Sequence, residues 1–127
     1  MMRSTKEIGD IGEKLARKLL KKKKFKIKGK NLHFGRNEID IVAESRDHIV
    51  FCEVKTRSVS HESEISFEIS AAFAVDKDKI KRTQDAARAY LATNPKDKAI
   101  RFDVIEVYLK KDEPKKVLNI NHIENAF

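Results

Sequence analysis

Two apolar runs, residues 38–44 and 48–55, lie so close together that an antiparallel hairpin is the simplest structure they can form. In each run side chains alternate between two faces, as in a β-strand. Arg46-Asp47 predicts a tight turn between them, and a two-residue turn pairs positions whose numbers sum to 93. In that register Asp40 stands opposite Glu53, and Glu38 opposite Lys55. A slip of one residue would send one strand's polar set to the other face. The turn lacks the favoured Asn-Gly or Asp-Gly, so the register rests on the alternation.

The register has chemical consequences. Directly opposed residues lie about 4.5–5.5 Å apart at Cβ, where Asp40 and Glu53 repel unless something neutralises them. A divalent cation does so, and carboxylate oxygens, a backbone carbonyl and waters suit Mg²⁺. Lys55 is too charged to be a ligand, but it can orient a water or stabilise charge on a phosphoryl oxygen. The reaction implied is metal-assisted hydrolysis of a phosphodiester. For any one of these residues a solvated outer face is the commoner explanation. It explains the set less well, because Asp40 opposite Glu53 is a poor exposed pair.

Around the hairpin the pattern predicts one domain of order α-β-β-β-α-β-β, an α/β or α+β fold. Ser4-Thr5-Lys6-Glu7 has the form of a capping box. A helix follows, with Ile8, Ile11, Leu15 and Leu19 as its buried stripe and Ala16 and Leu20 widening one side. Gly9 and Gly12 each cost this helix about 1 kcal/mol relative to Ala, which points to close approach by another backbone. Residues 25–28 alternate as an edge strand with lysines facing water, and residues 33–37 connect to the hairpin. Residues 56–66 read as a loop, and 67–75 are ambiguous between helix and strand. Residues 78–93 read as a helix with Ile80, Thr83, Ala87, Tyr90 and Leu91 on one face, ended by Asn94-Pro95. Strands are expected at 100–109 and 117–120, with a turn at 110–116.

Composition narrows the substrate. The chain has 127 residues and a formal net charge of +8, which attracts polyanions. Seven lysines fall between Lys21 and Lys30, among them Lys24 and Lys26, and can track a phosphate backbone. They also complement a helix dipole and protect a sheet edge. Arg57, at the exit of the second hairpin strand, and Lys79 with Arg82, on one face of the later helix, are further candidates for contact with nucleic acid. Arg101 and Asp103 share a strand face and read as an internal ion pair or a link to the first helix. Cys52, the only cysteine, excludes an internal disulfide and should face apolar neighbours. The histidines have no zinc-type spacing. With no spanning apolar run or signal-peptide core, a cytoplasmic protein away from membranes is expected.

Asp40 followed by Glu53-Val54-Lys55 resembles the D-(x)n-E-x-K signature of the PD-(D/E)xK nucleases. A wider set is more specific: Gly9-Asp10-Ile11-Gly12-Glu13, Glu38-Ile39-Asp40, Phe51-Cys52-Glu53-Val54-Lys55-Thr56-Arg57, Arg101-Phe102-Asp103-Val104 and Ala126-Phe127. Together these resemble the YraN-like bacterial proteins, uncharacterised protein family 0102, over essentially the whole chain. Asn37 stands where that family usually has Gly.

The resemblance implies a restriction-endonuclease-like fold, a central mixed β-sheet flanked by helices, related to archaeal Holliday junction resolvases. It implies Asp40 and Glu53 as metal-binding acids, Glu13 as a helical acid joining them, Lys55 as the catalytic lysine and Lys79 as a basic position. The expected activity is a Mg²⁺- or Mn²⁺-dependent endonuclease acting on DNA, with branched or flapped structures as candidate substrates. Resolvase-like enzymes often dimerise, so the resemblance admits a homodimer. The alternatives are a non-catalytic nucleic-acid-binding protein that keeps the nuclease fold, and a protein-interaction adaptor.

Overall fold

The computed structural model of the protein describes residues 4–65 and 76–127. The ambiguous stretch 67–75 lies outside the described residues.

The first helix, α1 (Thr5–Lys22), begins where the Ser4 side chain accepts the Glu7 backbone N–H at 3.1 Å, as its capping pattern predicts. Three strands follow: β1 (Lys26–Phe34), β2 (Asn37–Glu44) and β3 (His48–Val59). After a short 3₁₀ turn (Glu62–Glu64), the helix α2 (Lys77–Thr93) leads into β4 (Ala99–Lys110) and β5 (Glu113–Ile123). The five strands form one sheet in chain order, with β3 and β4 parallel and every other pair antiparallel. The element order is the expected one, and the sheet is mixed.

Several strands run further than their sequence pattern indicates. β1 reaches Phe34 and turns through Gly35-Arg36, where Gly35 supplies the positive φ (64°) that a two-residue hairpin asks of its first central position. β3 extends through the polar Thr56-Arg57-Ser58 because β4 pairs with it as far as Val59. β5 starts at Glu113, within the segment expected to turn, because β4 again supplies the ladder. Backbone pairing, indifferent to side-chain polarity, carries these extensions.

The helices cover opposite faces. Ala16 and Leu20 of α1 pack on Ile41, Ala43, Val50, Cys52, Ile105, Val107 and Leu109. Gly12, Ala16 and Leu20 form the fully buried line of α1, whereas Ile8, Ile11, Leu15 and Leu19 are only partly buried around it. The supposed edge of the stripe is therefore its centre. On the other face Ala86, Ala87 and Tyr90 of α2 pack on Ile39, Val42, Ile49 and Phe51. With both faces covered, the central strands show consecutive buried residues instead of alternation. Phe51 meets Tyr90 edge-on and stacks on Phe102, which stacks on Phe127, so the Ala126-Phe127 motif closes an aromatic column. Cys52 lies inside the α1-side core, and burial pushes its thiol well above the ordinary range.

Gly12 and Gly9 separate cleanly. A Cβ on Gly12 would overlap the Thr56 hydroxyl and come within 2.8 Å of Thr56 Cβ, so the close approach is to a β3 side chain. Gly9 has nothing within 4 Å of such a Cβ, and the expected approach is not made there.

Candidate active site at the fork of the sheet

The hairpin register is as expected: Ile41 pairs with Cys52, Val42 with Phe51, Ala43 with Val50 and Glu44 with Ile49. Ser45 N–H donates to His48 O at 2.9 Å, so Arg46-Asp47 is the two-residue turn. The ladder nevertheless ends at Ile41 and Cys52. Beyond that point β2 stays with β1 as far as Asn37, while β3 stays with β4 as far as Val59. The sheet forks, and Asp40 and Glu53 are the first residues past the fork.

Asp40 and Glu53 are therefore not a ladder pair. Instead Asp40 Oδ2 accepts the Val54 backbone N–H at 2.8 Å, a carboxylate standing where a strand carbonyl would otherwise pair. The expected pairing of Glu38 with Lys55 also fails beyond the fork. Glu38 turns to His33 across the β1–β2 hairpin, at 3.7 Å, and Lys55 turns to Glu53, at 3.8 Å. Alternation of side-chain identity breaks at the same place, since Ile39 packs toward α2 and Ile41 toward α1.

A fork lets helices from opposite faces address one point, which a continuous sheet would prevent. From α2, Lys79 Nζ lies 2.7 Å from Glu53 Oε1, the oxygen that Lys55 also approaches. Burial opposes the Lys79 charge, but the hydrogen bond and field of Glu53 outweigh it and hold its pKa above the ordinary range. From α1, Glu13 acts on Asp40 through its field. Burial and Asp10 raise the Glu13 carboxyl, against Arg17 and a hydrogen bond from the Asn31 amide. Asn31 sits in β1 with φ 49°, a conformation Asn tolerates better than most residues. Sequence pattern gave no hint of this support beyond an Asn among lysines.

Electrostatically the two acids differ, because both lysines address Glu53 and Asp40 keeps the Val54 N–H. Burial and the neighbouring Glu53 push the Asp40 carboxyl up to about 7, with Glu13 and Glu38 adding to the rise and the Val54 N–H opposing it. Asp40 and Glu53 are the carboxylates here that could hold a metal, and Mg²⁺, which keeps several waters, needs few protein ligands. Among the described residues no three His, Cys, Asp or Glu side chains are gathered closely enough to hold a metal ion. Glu13 is thus a neighbour of the pair and not a third ligand in this arrangement.

The basic candidates divide by position. Lys79 and Arg82 line a cavity of about 170 Å³ with Arg36, Asn37, Glu38 and Thr83, beside the fork. Arg36 was not anticipated; its place in the β1–β2 turn brings it there. Arg57 lies on β3 two residues beyond Lys55, its Nε 3.8 Å from the buried Glu106 carboxylate. Lys24 and Lys26 are not part of this site and lie at the other end of β2. Arg101 and Asp103 form the expected ion pair at 2.9 Å, and His122 links Asp103 to Lys23 at the end of α1.

The forked mixed sheet, with a helix on each face and an acid pair at the fork, defines a domain of the restriction-endonuclease-like class. Residues 12–107 match the uncharacterised protein family UPF0102, and the chain belongs to that family. A relative from Caldanaerobacter subterraneus subsp. tengcongensis is 41% identical over 125 residues, covering 96% of this chain and 95% of its own. Others from Dictyoglomus thermophilum and Clostridioides difficile are 38% and 40% identical, each covering 98% of this chain and 99% of its own. All three are described only as UPF0102 proteins. No helix of the described residues is long and apolar enough to cross a membrane.

Proposed function

We propose that this protein is a Mg²⁺- or Mn²⁺-dependent endonuclease that hydrolyses phosphodiester bonds in DNA. The observation that carries the reading is the partly buried Asp40 carboxyl held up by the neighbouring Glu53 at the fork, with two lysines converging on one Glu53 oxygen. Asp40 and Glu53 would hold the cation, which when bound supplies Lewis acidity and lowers the pKa of a bound water. The Val54 N–H fixes one Asp40 oxygen and so sets the direction of the other. Lys55 is placed to stabilise charge on a phosphoryl oxygen. Lys79, with its ammonium kept charged, is placed to take a neighbouring phosphate once a cation claims Glu53. Arg36 and Arg82 extend that contact, and Arg57 lies downstream on β3.

A second reading, a nucleic-acid-binding module without catalysis, draws support from one observation. Glu13 does not join the acid pair, so the ligand set is smaller than the resemblance implies.

Cleavage of linear, flapped and four-way DNA with Mg²⁺ or Mn²⁺ tests the proposal. Wild type is expected to cut at least one substrate, and Glu53→Ala to cut none while keeping its unfolding midpoint within a few degrees. Cutting that persists in Glu53→Ala, or in excess EDTA, would remove the assignment. DNA binding without cleavage would leave the second reading.

A further inference from the structure

At the end of β2 opposite the fork, Lys24, Lys26, Lys28, Arg46 and Lys98 surround a cleft of about 360 Å³, where Glu44 is the only acid among the described residues. Glu44 is already occupied. Lys98 donates to its Oε1 at 2.9 Å, and Lys96 lies 3.2 Å from Oε2. Burial works to raise the Glu44 pKa, but these two lysines hold it below the ordinary range. Lys98 also donates to Ser45 O at 2.9 Å and is thereby fixed at the wall of the cleft. Lys24, Lys26, Lys28 and Arg46 have no carboxylate partner among the described residues. Four unpaired cations facing one cleft repel each other unless an anion enters.

The backbone is bent toward the same end. Lys24 follows α1 with φ 72°, while Phe25 N–H returns to Leu20 O at 3.0 Å. This left-handed position after a helix is usually filled by Gly, and a lysine there costs about 1 kcal/mol. A register shift between Ile27 and Gly29 lies beside Lys28, and such bulges re-aim side chains.

The cleft and the Arg36–Lys79–Arg82 cavity lie on the α2 side of the sheet, at opposite ends of β2. Glu38 lines one and Glu44 the other, and six residues of strand separate them by about 20 Å. Lys30 and Arg36 are exposed along the β1 edge between and beside them. In duplex DNA a rise of about 3.4 Å per base pair covers 20 Å in about six pairs. A stiff duplex fixes phosphates at that separation, which a flexible strand would do only at a cost in entropy.

We propose that the lysine cleft is a second phosphate-binding site, which grips a double-stranded DNA arm about six base pairs from the fork. The inference rests on the DNA reading of the fork but not on cleavage. It requires a substrate with a duplex arm long enough to reach both ends of β2.

Fluorescence anisotropy in EDTA tests it, with hairpin-capped duplexes carrying arms of about 4 and about 12 base pairs. Lys26→Glu with Lys28→Glu alters the cleft. Lys14→Glu with Lys18→Glu, on the exposed face of α1, lowers the net charge by the same amount elsewhere. Wild type should bind the longer arm about tenfold tighter, and the cleft variant should lose that preference. Its log–log salt slope should also fall by about 1.8 if two phosphate contacts are lost. The α1 variant should keep the preference. Equal loss in both variants, no preference in wild type, or a preference that survives the cleft substitutions would overturn the proposal. A protein that grips the longer arm but never cuts keeps this inference and loses the nuclease reading. One that cuts without arm-length preference does the reverse.

Discussion

Asp40 and Asp103 are both aspartates of the central sheet, and their surroundings could hardly differ more. Asp103 is fully buried and saturated with donors: Arg101 Nε and a guanidinium nitrogen at 2.9 and 3.0 Å, His122 at 2.7 Å and the Asn125 N–H at 3.0 Å. Burial works to raise its pKa, but the hydrogen bonds from His122, Arg101 and Asn125 hold it below the ordinary value. Asp40 has one backbone donor and three acids in its field, and burial moves it the opposite way. Burial is common to both, so donors decide. The saturated carboxylate ties β4, β5 and α1 together. The starved one keeps a single backbone donor, the Val54 N–H.

Breaking the saturated side should have the largest effect. Asp103→Ala leaves Arg101, which is only 14% exposed, with Glu124 at 3.8 Å as its remaining acid, and should cost about 3 kcal/mol in urea unfolding. Because its folded pKa is depressed, the wild-type contribution is present above the ordinary value of 3.8 and is lost as pH falls through the folded value. A cost under about 1 kcal/mol would show that the network contributes little net stability.

Asp40→Asn should act in the other direction. The folded carboxyl titrates near 7 against an ordinary 3.8, so the folded state holds the proton more tightly than the unfolded chain. Its favourable contribution is complete below about pH 4 and is lost as pH rises through about 7. Asn mimics the protonated form and can still accept the Val54 N–H. In EDTA the variant should therefore be about 4 kcal/mol more stable than wild type at pH 8 and nearly equal to it near pH 4. Saturating Mg²⁺ should narrow the gap at pH 8 by stabilising wild type. A variant less stable than wild type at pH 8 would mean that Asp40 is satisfied after all.

The contrast was only half legible in the sequence. A two-residue turn permits one register, so the pairing of residues 41–44 with 49–52 followed from the positions of Arg46 and Asp47. Where that ladder would stop did not, because β1 and β4 compete for the strands on either side and no residue between Ile39 and Val54 announces it. The Glu38–Lys55 pair failed for that reason. Arg101 with Asp103 was readable because both lie two apart on one strand, whereas His122 arrives from β5 across the sheet. Likewise the Lys79 contact with Glu53 depends on how α2 sits on the sheet, and helix periodicity defines a face but not its reach. Alternation also hid the true extent of β1, where Gly29 and Asn31 interrupt a strand sustained by its pairing with β2.

A smaller test concerns how firmly α1 holds Glu13 beside Asp40. Gly12 and Gly9 cost α1 the same in helix propensity, yet only Gly12 meets a wall. Gly12→Ala recovers about 1 kcal/mol of propensity but forces a methyl into Thr56, and overpacking of this kind costs about 1–3 kcal/mol. A net loss of about 1 kcal/mol is expected, with Thr56→Ala restoring much of it in the double variant. Gly9→Ala, with open space around it, should instead gain up to about 1 kcal/mol. The two signs measured together separate packing from propensity. If Gly12→Ala is also stabilising, α1 can lift from β3 at little cost, and Glu13 is then free to swing toward or away from the acid pair. If it destabilises and Thr56→Ala repairs it, the helix is pinned at Thr56, one residue beyond Lys55, and the distance from Glu13 to the fork is set by that contact.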